Sequence, residues 1–444
     1  MNKRQLILAA TLITLMAATA YAQSPPPNIV LIISDDHGWR DYGFMGHPQI
    51  QTPRLDKLAA QSLVFRRGYV PTALCSPSLA SIITGRYPHE HLVTGNDPPA
   101  PPGGKTGNWR NHPQYEADWN ELRSFINRYP TLPRLLQQKG YLSLQTGKWW
   151  MGSPANGGFT EGMSHGDKSR GGRHGDEGLD IGRKTMQPID DFIARAGRKP
   201  FFIWYAPMLP HSPHNAPQRL VDKYRDKAPD QETARYWASV EWFDETCGQL
   251  LDALDRAGVA ENTIVVYVAD NGWTQGPQAD AQSLRSKRTP YDAGIRTPIM
   301  LRWPGKVKPR ESERLASSLD VLPTLIAATS VNAPAGLPGL NLLDDKAVNT
   351  RRALYGASFT HDLVEMRNPA ANALTRWIIE GDWKLLVPTP GQTNEEQPQQ
   401  IELYRIATDP EECANLAAKE PSRVNALRRK LDAWWNPRMK PGFH

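Results

Sequence analysis

Cys75 stands at the head of a proline-initiated helical segment, Cys75-Ser-Pro-Ser-Leu-Ala-Ser-Ile-Ile-Thr-Gly-Arg86. Pro77 suits the first turn, where a missing N–H costs nothing, and Gly85 suits the helix end. The sulfur is thereby set beside free backbone N–H groups and the positive end of a helix dipole, surroundings that favour an anion. Two further segments put hard oxygen donors on glycine-assisted turns, Asp35-Asp36-His37-Gly38 and Ala269-Asp270-Asn271-Gly272. Carboxylates with an amide oxygen suit Ca²⁺ or Mg²⁺, and the scarcity of thiols and clustered imidazoles argues against zinc.

Either acidic turn alone is ordinary loop chemistry, so the scaffold decides what they mean. Ile29-Val-Leu-Ile-Ile33 is an all-apolar run of the kind that forms a strand covered on both faces. Comparable strands are expected at Tyr141–Thr146, Phe201–Tyr205 and Thr263–Ala269. Helices are expected at Pro53–Ser62, Thr131–Lys139, Ile181–Ala196 and Asp230–Ala257. The alternation predicts an α/β fold, a large, mainly parallel mixed sheet flanked by helices. Asp35 and Asp36, Lys148, His211, and Asp270 with Asn271 each follow one of these strands. Strand ends of one sheet edge are where such folds bind ligands, so four separate segments converge by topology. Two irregular insertions, Pro98–Tyr129 and Gly152–Gly182, are expected to wall the site.

The cysteine string resembles the sulfatase signature, Cys-x-Pro-Ser-Arg followed by Thr-Gly-Arg. The two acidic turns resemble that family's metal-binding segments. Thr146-Gly147-Lys148-Trp149-Trp150 is similar to its Gly-Lys-Trp-His segment, and Pro210-His211-Ser212-Pro213 to its Pro-His-x-Pro turn. Ser286-Lys287 through Tyr291-Asp-Ala-Gly-Ile-Arg296 resembles the segment with its second active-site lysine. Glu402-Leu-Tyr404 and Asp409-Pro410 through Asn415-Leu416 resemble its C-terminal signature. The likeness runs in order from Asn28 to Leu416. It implies an alkaline-phosphatase-like architecture and Cys75 oxidised to formylglycine by a maturation enzyme. It also implies one Ca²⁺ held by Asp35, Asp36, Asp270, Asn271 and the residue at 75. Lys148 and Lys287 are implied to grip the sulfate, His211 to contact it, His211 or Lys287 to protonate the leaving oxygen, and Asp270 to take a proton from the hydrated aldehyde. One hydroxyl of that hydrate attacks sulfur and the other expels sulfate, a step a plain serine has no means to perform.

Two positions depart from the pattern. Leu79 replaces the signature arginine, and Trp150 replaces a histidine. Arg173 and His174, in the loop after Trp150, are candidates to refill those places as substrate contacts. The reading is a sulfatase acting on a sulfate monoester of a small molecule or glycan. Phosphoester or phosphonate hydrolysis on the same fold, and sulfated-glycan binding without catalysis, are the alternatives.

Residues 1–22 read as an export signal: Lys3 and Arg4, an apolar core from Leu6 to Ala18, and Ala20-Tyr21-Ala22 before the cut. A periplasmic or secreted protein is expected, with no membrane span after cleavage. The formal charge of +6 falls to +4 once Lys3 and Arg4 are removed. That excess suits an anionic substrate, and no basic cluster interleaved with aromatics suggests nucleic acid. With Cys75 converted, Cys247 and Cys413 are left either to pair or to remain free. A catalytic domain over 23–350 is expected, then a subdomain over 351–444. The latter holds a small antiparallel sheet, signalled by Trp377–Glu380 and Trp383–Val387, and a helix over Ser422–Trp435.

Overall fold

The computed structural model describes residues 25–437 except 168–169, 171, 173–175, 277–284, 393 and 395. The proposed signal, Arg173 and His174 therefore lie outside the described residues. Eight strands form the main sheet: β1 (Asn28–Ser34), β2 (Leu63–Tyr69), β3 (Leu142–Gly147), β4 (Glu161–Gly162), β5 (Phe201–Ala206), β6 (Thr263–Ala269), β7 (Arg296–Arg302) and β8 (Arg310–Ser317). Their order is β4-β3-β5-β1-β6-β7-β2-β8. All neighbours are parallel except at β7, which runs against both β6 and β2. The α/β class and the mainly parallel mixed sheet follow the expectation.

β1 is central because it is apolar on both faces. Ile29, Leu31 and Ile33 join one core with Leu79, Ile82 and Ile83 of the Cys75–Thr84 helix. Val30 and Ile32 join a second core with Phe243, Cys247 and Leu250 of the Gln231–Arg256 helix. Full burial of each such side chain contributes roughly 1.5–3 kcal/mol. Both faces are thus closed by helices, and only the strand ends are left to build a site.

Several boundaries differ from expectation. The expected Ile181–Ala196 helix starts at Gln187, because Gly182 is left-handed at φ 70° and Pro188 fills the first turn. The insertion at 98–129 is not irregular throughout: Pro113–Ser124 is a helix that buries Tyr115, Trp119 and Leu122 on one face. β2, β7 and β8 had no clear signal, since β2 carries Arg66 and Arg67 and most of β8 is exposed edge. Cys247 is buried and Cys413 exposed, and both are free. No helix among the described residues is long and apolar enough to cross a membrane.

A second sheet of four antiparallel strands follows, β9 (Ala353–Phe359), β10 (Ala373–Glu380), β11 (Trp383–Pro388) and β12 (Glu402–Arg405), in the order β12-β11-β10-β9, with a helix over Pro421–Trp434. It is joined to the main sheet by buried charge. Lys384 on β11 is fully buried and meets Asp292 and Glu412, each at 2.9 Å. Glu412 in turn accepts from the Asp292 backbone N–H at 2.6 Å. Removing one partner of a buried pair leaves an uncompensated charge, at a cost of about 3–5 kcal/mol. Lys384→Met is therefore expected to destabilise the protein by about that amount in urea unfolding; a change under about 1 kcal/mol would mean that the junction does not hold the two sheets.

Candidate functional site

Five strand ends and their loops deliver the chemistry to one edge of the main sheet. β1 runs into Asp35 and Asp36, β2 leads to Cys75, β3 to Lys148, β5 to His211 and β6 to Asp270 and Asn271. Because β7 is antiparallel, the loop that precedes it, carrying Lys287, reaches the same edge. Backbone bonds tie these turns together: Asp35 N–H to Leu209 O at 2.9 Å, Asp270 N–H to Ser34 O at 2.9 Å, and Lys148 N–H to Ala206 O at 2.6 Å. Two glycines permit the approach. A Cβ on Gly147, left-handed at φ 75°, would lie 1.8 Å from Ala206 O, and one on Gly272 would lie 2.1 Å from Ala293 O. Asp36 is itself left-handed at φ 52°, a conformation a non-glycine residue holds only under constraint.

The resulting floor is a buried charge cluster. Lys148 Nζ donates to Asp35 Oδ2 at 2.5 Å and to Asp270 Oδ2 at 2.8 Å. Lys287 Nζ contacts Asp36 at 2.7 Å, and Asn271 Nδ2 donates to Asp36 Oδ1 at 2.7 Å. Cys75 Sγ lies 3.6 Å from Asn271 Oδ1 and 4.0 Å from Asp35 Oδ1. His211 places Nε2 3.4 Å from Asp36 Oδ2, while its Nδ1 lies 2.6 Å from the Ser212 carbonyl. Every candidate among the described residues is thus brought into one cluster. His214 instead packs on the Tyr236 ring, centroids 5.4 Å apart, and Arg296 stacks on Trp39 at 3.8 Å.

Burial opposes ionisation throughout, and the neighbours decide the outcome. For Asp35, burial is outweighed by Lys148, His211 and Lys287, which hold its carboxyl well below the usual range. Burial, and then the Asp35 carboxylate, push Asp270 up. Burial works against the Lys148 ammonium, yet Asp270 and Asp35 hold it above the ordinary lysine range; Lys287 is raised likewise, chiefly by Asp36. Burial pushes the Cys75 thiol up, so as a thiol it is a poor nucleophile.

The two ammonium groups meet three carboxyl groups, and Asp270 Oδ1 is buried without a hydrogen-bond partner among the described residues. The acidic turns and Asn271 Oδ1 supply hard oxygen donors, and ligand atoms of Asp35, Asp36, Cys75 and His211 lie within 4.8 Å of one another. This set fits a divalent cation such as Ca²⁺, which would turn the floor net positive and receptive to an anion.

Above the floor opens a cavity of about 660 Å³ lined by Cys75, Lys148, His211 and Lys287. The insertion at 98–129 walls it, as expected, through Arg110, Tyr115, Trp119 and Arg123. Asn96, Asp97 and His361 also line it and had no sequence signal. Asn96 Oδ1 accepts the Ser76 N–H at 2.9 Å, capping the Cys75 helix from outside the motif. Trp150 faces the cavity, with Lys148 Nζ 5.8 Å from its ring centroid. Leu79 is buried in the apolar core.

A mainly parallel sheet with a buried charged cluster at one edge fits the alkaline-phosphatase-like class. The sulfatase family model matches residues 27–331, and the model described as N-sulphoglucosamine sulphohydrolase, C-terminal, matches 282–435. Human N-acetylgalactosamine-6-sulfatase is 31% identical over 360 residues, covering 72% of this chain and 65% of that protein. Human arylsulfatase A is 31% identical over 380 residues, covering 74% of this chain and 68% of that one. The chain thus spans about two thirds of the length of these human relatives. A structure solved in complex with its substrate D-glucosamine-2-N,6-O-disulfate shares the fold, with a TM-score of 0.72, 20% identity and coverage of 93% of this chain and 98% of that chain. The chain belongs to the sulfatase family, a family of sulfuric ester hydrolases.

A cation bound only by the folded state stabilises it, by about 2.7 kcal/mol at a hundredfold excess over Kd. Addition of Ca²⁺ to chelator-treated protein is expected to raise Tm, and Asp35→Asn to abolish that rise. An unchanged Tm in the wild type would remove the cation from this site.

Proposed function

We propose that the protein is an exported sulfatase, with a signal over 1–22, a catalytic domain over 23–350 and a C-terminal subdomain over 351–444. It hydrolyses a sulfate monoester on a carbohydrate, using formylglycine made from Cys75 and one Ca²⁺. The observation that carries this reading is the position of Cys75. It stands at a helix N-terminus against Asp35 and Asn271, beneath a cavity that Lys148, His211 and Lys287 also line. Support for a sugar substrate comes from the relatives named for N-acetylgalactosamine-6-sulfate chemistry and from the disulfated glucosamine held by the structural neighbour.

Bound at Asp35, Asp36, Asp270, Asn271 and residue 75, the cation would neutralise sulfate charge and act as a Lewis acid. Formylglycine would supply a hydrated aldehyde, one hydroxyl to attack sulfur and another to release sulfate. The chain's own side chains do the rest. Lys148 and Lys287 hold sulfate oxygens by charge-assisted hydrogen bonds in a site shielded from water. Asp270 accepts the proton released at position 75. With Nδ1 turned to the Ser212 carbonyl, His211 Nε2 is the nitrogen that passes a proton to the leaving alcohol oxygen.

Two measurements test this. In a host that matures sulfatases, the peptide from Gly68 to Arg86 is expected to have lost sulfur and gained an aldehyde oxygen; an intact thiol, with aryl sulfates left unhydrolysed, would reject catalysis and leave a binding protein. Lys287→Ala is expected to lower kcat/KM on an aryl sulfate by roughly 10²–10³-fold with circular dichroism unchanged. Faster turnover of aryl phosphates than of sulfates would favour the phosphoesterase alternative.

A further inference from the structure

Behind the charged floor lies a polar cluster that the chemistry proposed above does not use. Ser34, His37, Tyr42 and Tyr267 are all fully buried. Tyr42 and Tyr267 belong to the second core, with Val30, Ile32 and Phe243, where phenylalanine would fill the same space without a polar atom. A buried hydroxyl is costly unless it is hydrogen-bonded. These two hydroxyls bond each other at 2.6 Å, and that of Tyr267 also lies 2.8 Å from Ser34 Oγ and 3.4 Å from His37 Nδ1. His37 Nε2 faces the Asp41 carbonyl at 3.1 Å, an atom that only accepts, so in the neutral ring Nε2 carries the proton and Nδ1 accepts. The Tyr267 hydroxyl therefore donates to His37, and its two lone pairs take the hydroxyls of Tyr42 and Ser34. A phenol has one donor and two acceptor positions, and all of them are used.

The hub sits between the two halves of the cation-binding set. Ser34 and His37 flank Asp35 and Asp36 on the turn after β1, and Tyr267 stands on β6, the strand that runs into Asp270 and Asn271. Backbone bonds already draw this turn to the end of β6, Asp270 N–H to Ser34 O at 2.9 Å and His37 N–H to Asn271 O at 3.3 Å. Asp36, between those anchors, is left-handed at φ 52°, a shape its surroundings must impose. The His37 ring is stacked on Tyr42, centroids 4.0 Å apart, which fixes its plane. We infer that the Tyr267 hydroxyl is a positioning group for the cation: it holds both flanks of Asp35-Asp36 against the strand that carries Asp270 and Asn271, and so sets the spacing of the ligands. The inference rests on the reading of the floor as a Ca²⁺ site.

Calorimetric titration of Ca²⁺ into chelator-treated protein tests this on wild type, Tyr267→Phe, Ser34→Ala, the double variant and Tyr141→Phe. Tyr141 is the control, a buried tyrosine whose hydroxyl donates to the Pro27 carbonyl at 2.7 Å, at the far end of β1 from the floor. Groups that orient metal ligands from behind typically cost roughly 10–100-fold in metal affinity when removed. Tyr267→Phe is expected to raise the Kd for Ca²⁺ by about that factor, and Ser34→Ala to raise it in the same direction. The double variant is expected to bind no more weakly than Tyr267→Phe, because both substitutions act through one hydroxyl. Tyr141→Phe is expected to lower Tm and leave Kd unchanged. Global stability does not enter the Kd of protein that is folded at the titration temperature, so a hydroxyl that merely supports the fold would give the Tyr141 pattern. Should circular dichroism show Tyr267→Phe unfolded, Ser34→Ala carries the same comparison against Tyr141→Phe. A wild-type Kd in the folded position-267 or position-34 variants, or effects that multiply in the double variant, overturns the inference and leaves the cation site standing. Wild type that binds no Ca²⁺ removes the cation reading itself, and the inference with it.

Discussion

Like charges brought together at the carboxyl edge of the sheet are the constraint around which this protein is built. Asp35 and Asp36 present ligand atoms within 4.8 Å, where two carboxylates repel by roughly 3–4 kcal/mol at an effective dielectric of about 20. Asp270 adds a third buried carboxyl, which burial and this crowding push up. The cluster persists because Lys148 bridges Asp35 and Asp270, Lys287 meets Asp36, and backbone pairing fixes the turns that carry them. The same crowding is what makes the floor fit a divalent cation, the basis of the proposed function. Structure and chemistry therefore share one electrostatic cause.

Lys287 depends on both sheets. Its loop is pinned by Arg288 N–H on Ala73 O at 2.8 Å, close to Cys75, and by Gln397 Nε2 on Arg288 O at 2.8 Å. Arg285 stacks on Tyr291 at 4.6 Å, and the Tyr291 hydroxyl donates to Glu402 at 2.8 Å. Next along the chain comes Asp292, locked to Lys384 and Glu412. The Glu402-Leu-Tyr404 and Asp409–Leu416 motifs thus have a physical use: they hold the loop that carries Lys287 to the charged floor.

The departures at Leu79 and Trp150 have different consequences. Leu79 turns into the apolar core and so withdraws from the cavity, whereas Trp150 stays in it and covers Lys148 with an aromatic face. Described arginines reach the cavity from the inserted segment instead. The helix Pro113–Ser124 that positions Arg123 is marginally apolar, and its buried Tyr115, Trp119 and Leu122 are separated by charged and polar residues. Its period was therefore obscured by its own solvent face.

By itself the chain determined the strands buried on both faces, because an unbroken apolar run has no stable alternative to a sheet covered by helices. It also determined which turns carry Asp35, Asp36, Lys148, His211 and Asp270, since residues that follow such strands must emerge at one edge. Only the tertiary structure decided the antiparallel turn of β7, the burial of Lys384 between two acids, and the meeting of Asn96, Asp97 and His361 over the Cys75 helix. These depend on contacts between segments far apart in sequence, 92 residues for Lys384 and Asp292 and 265 for Asn96 and His361, whose charges read locally as exposed surface until folding removes the water around them.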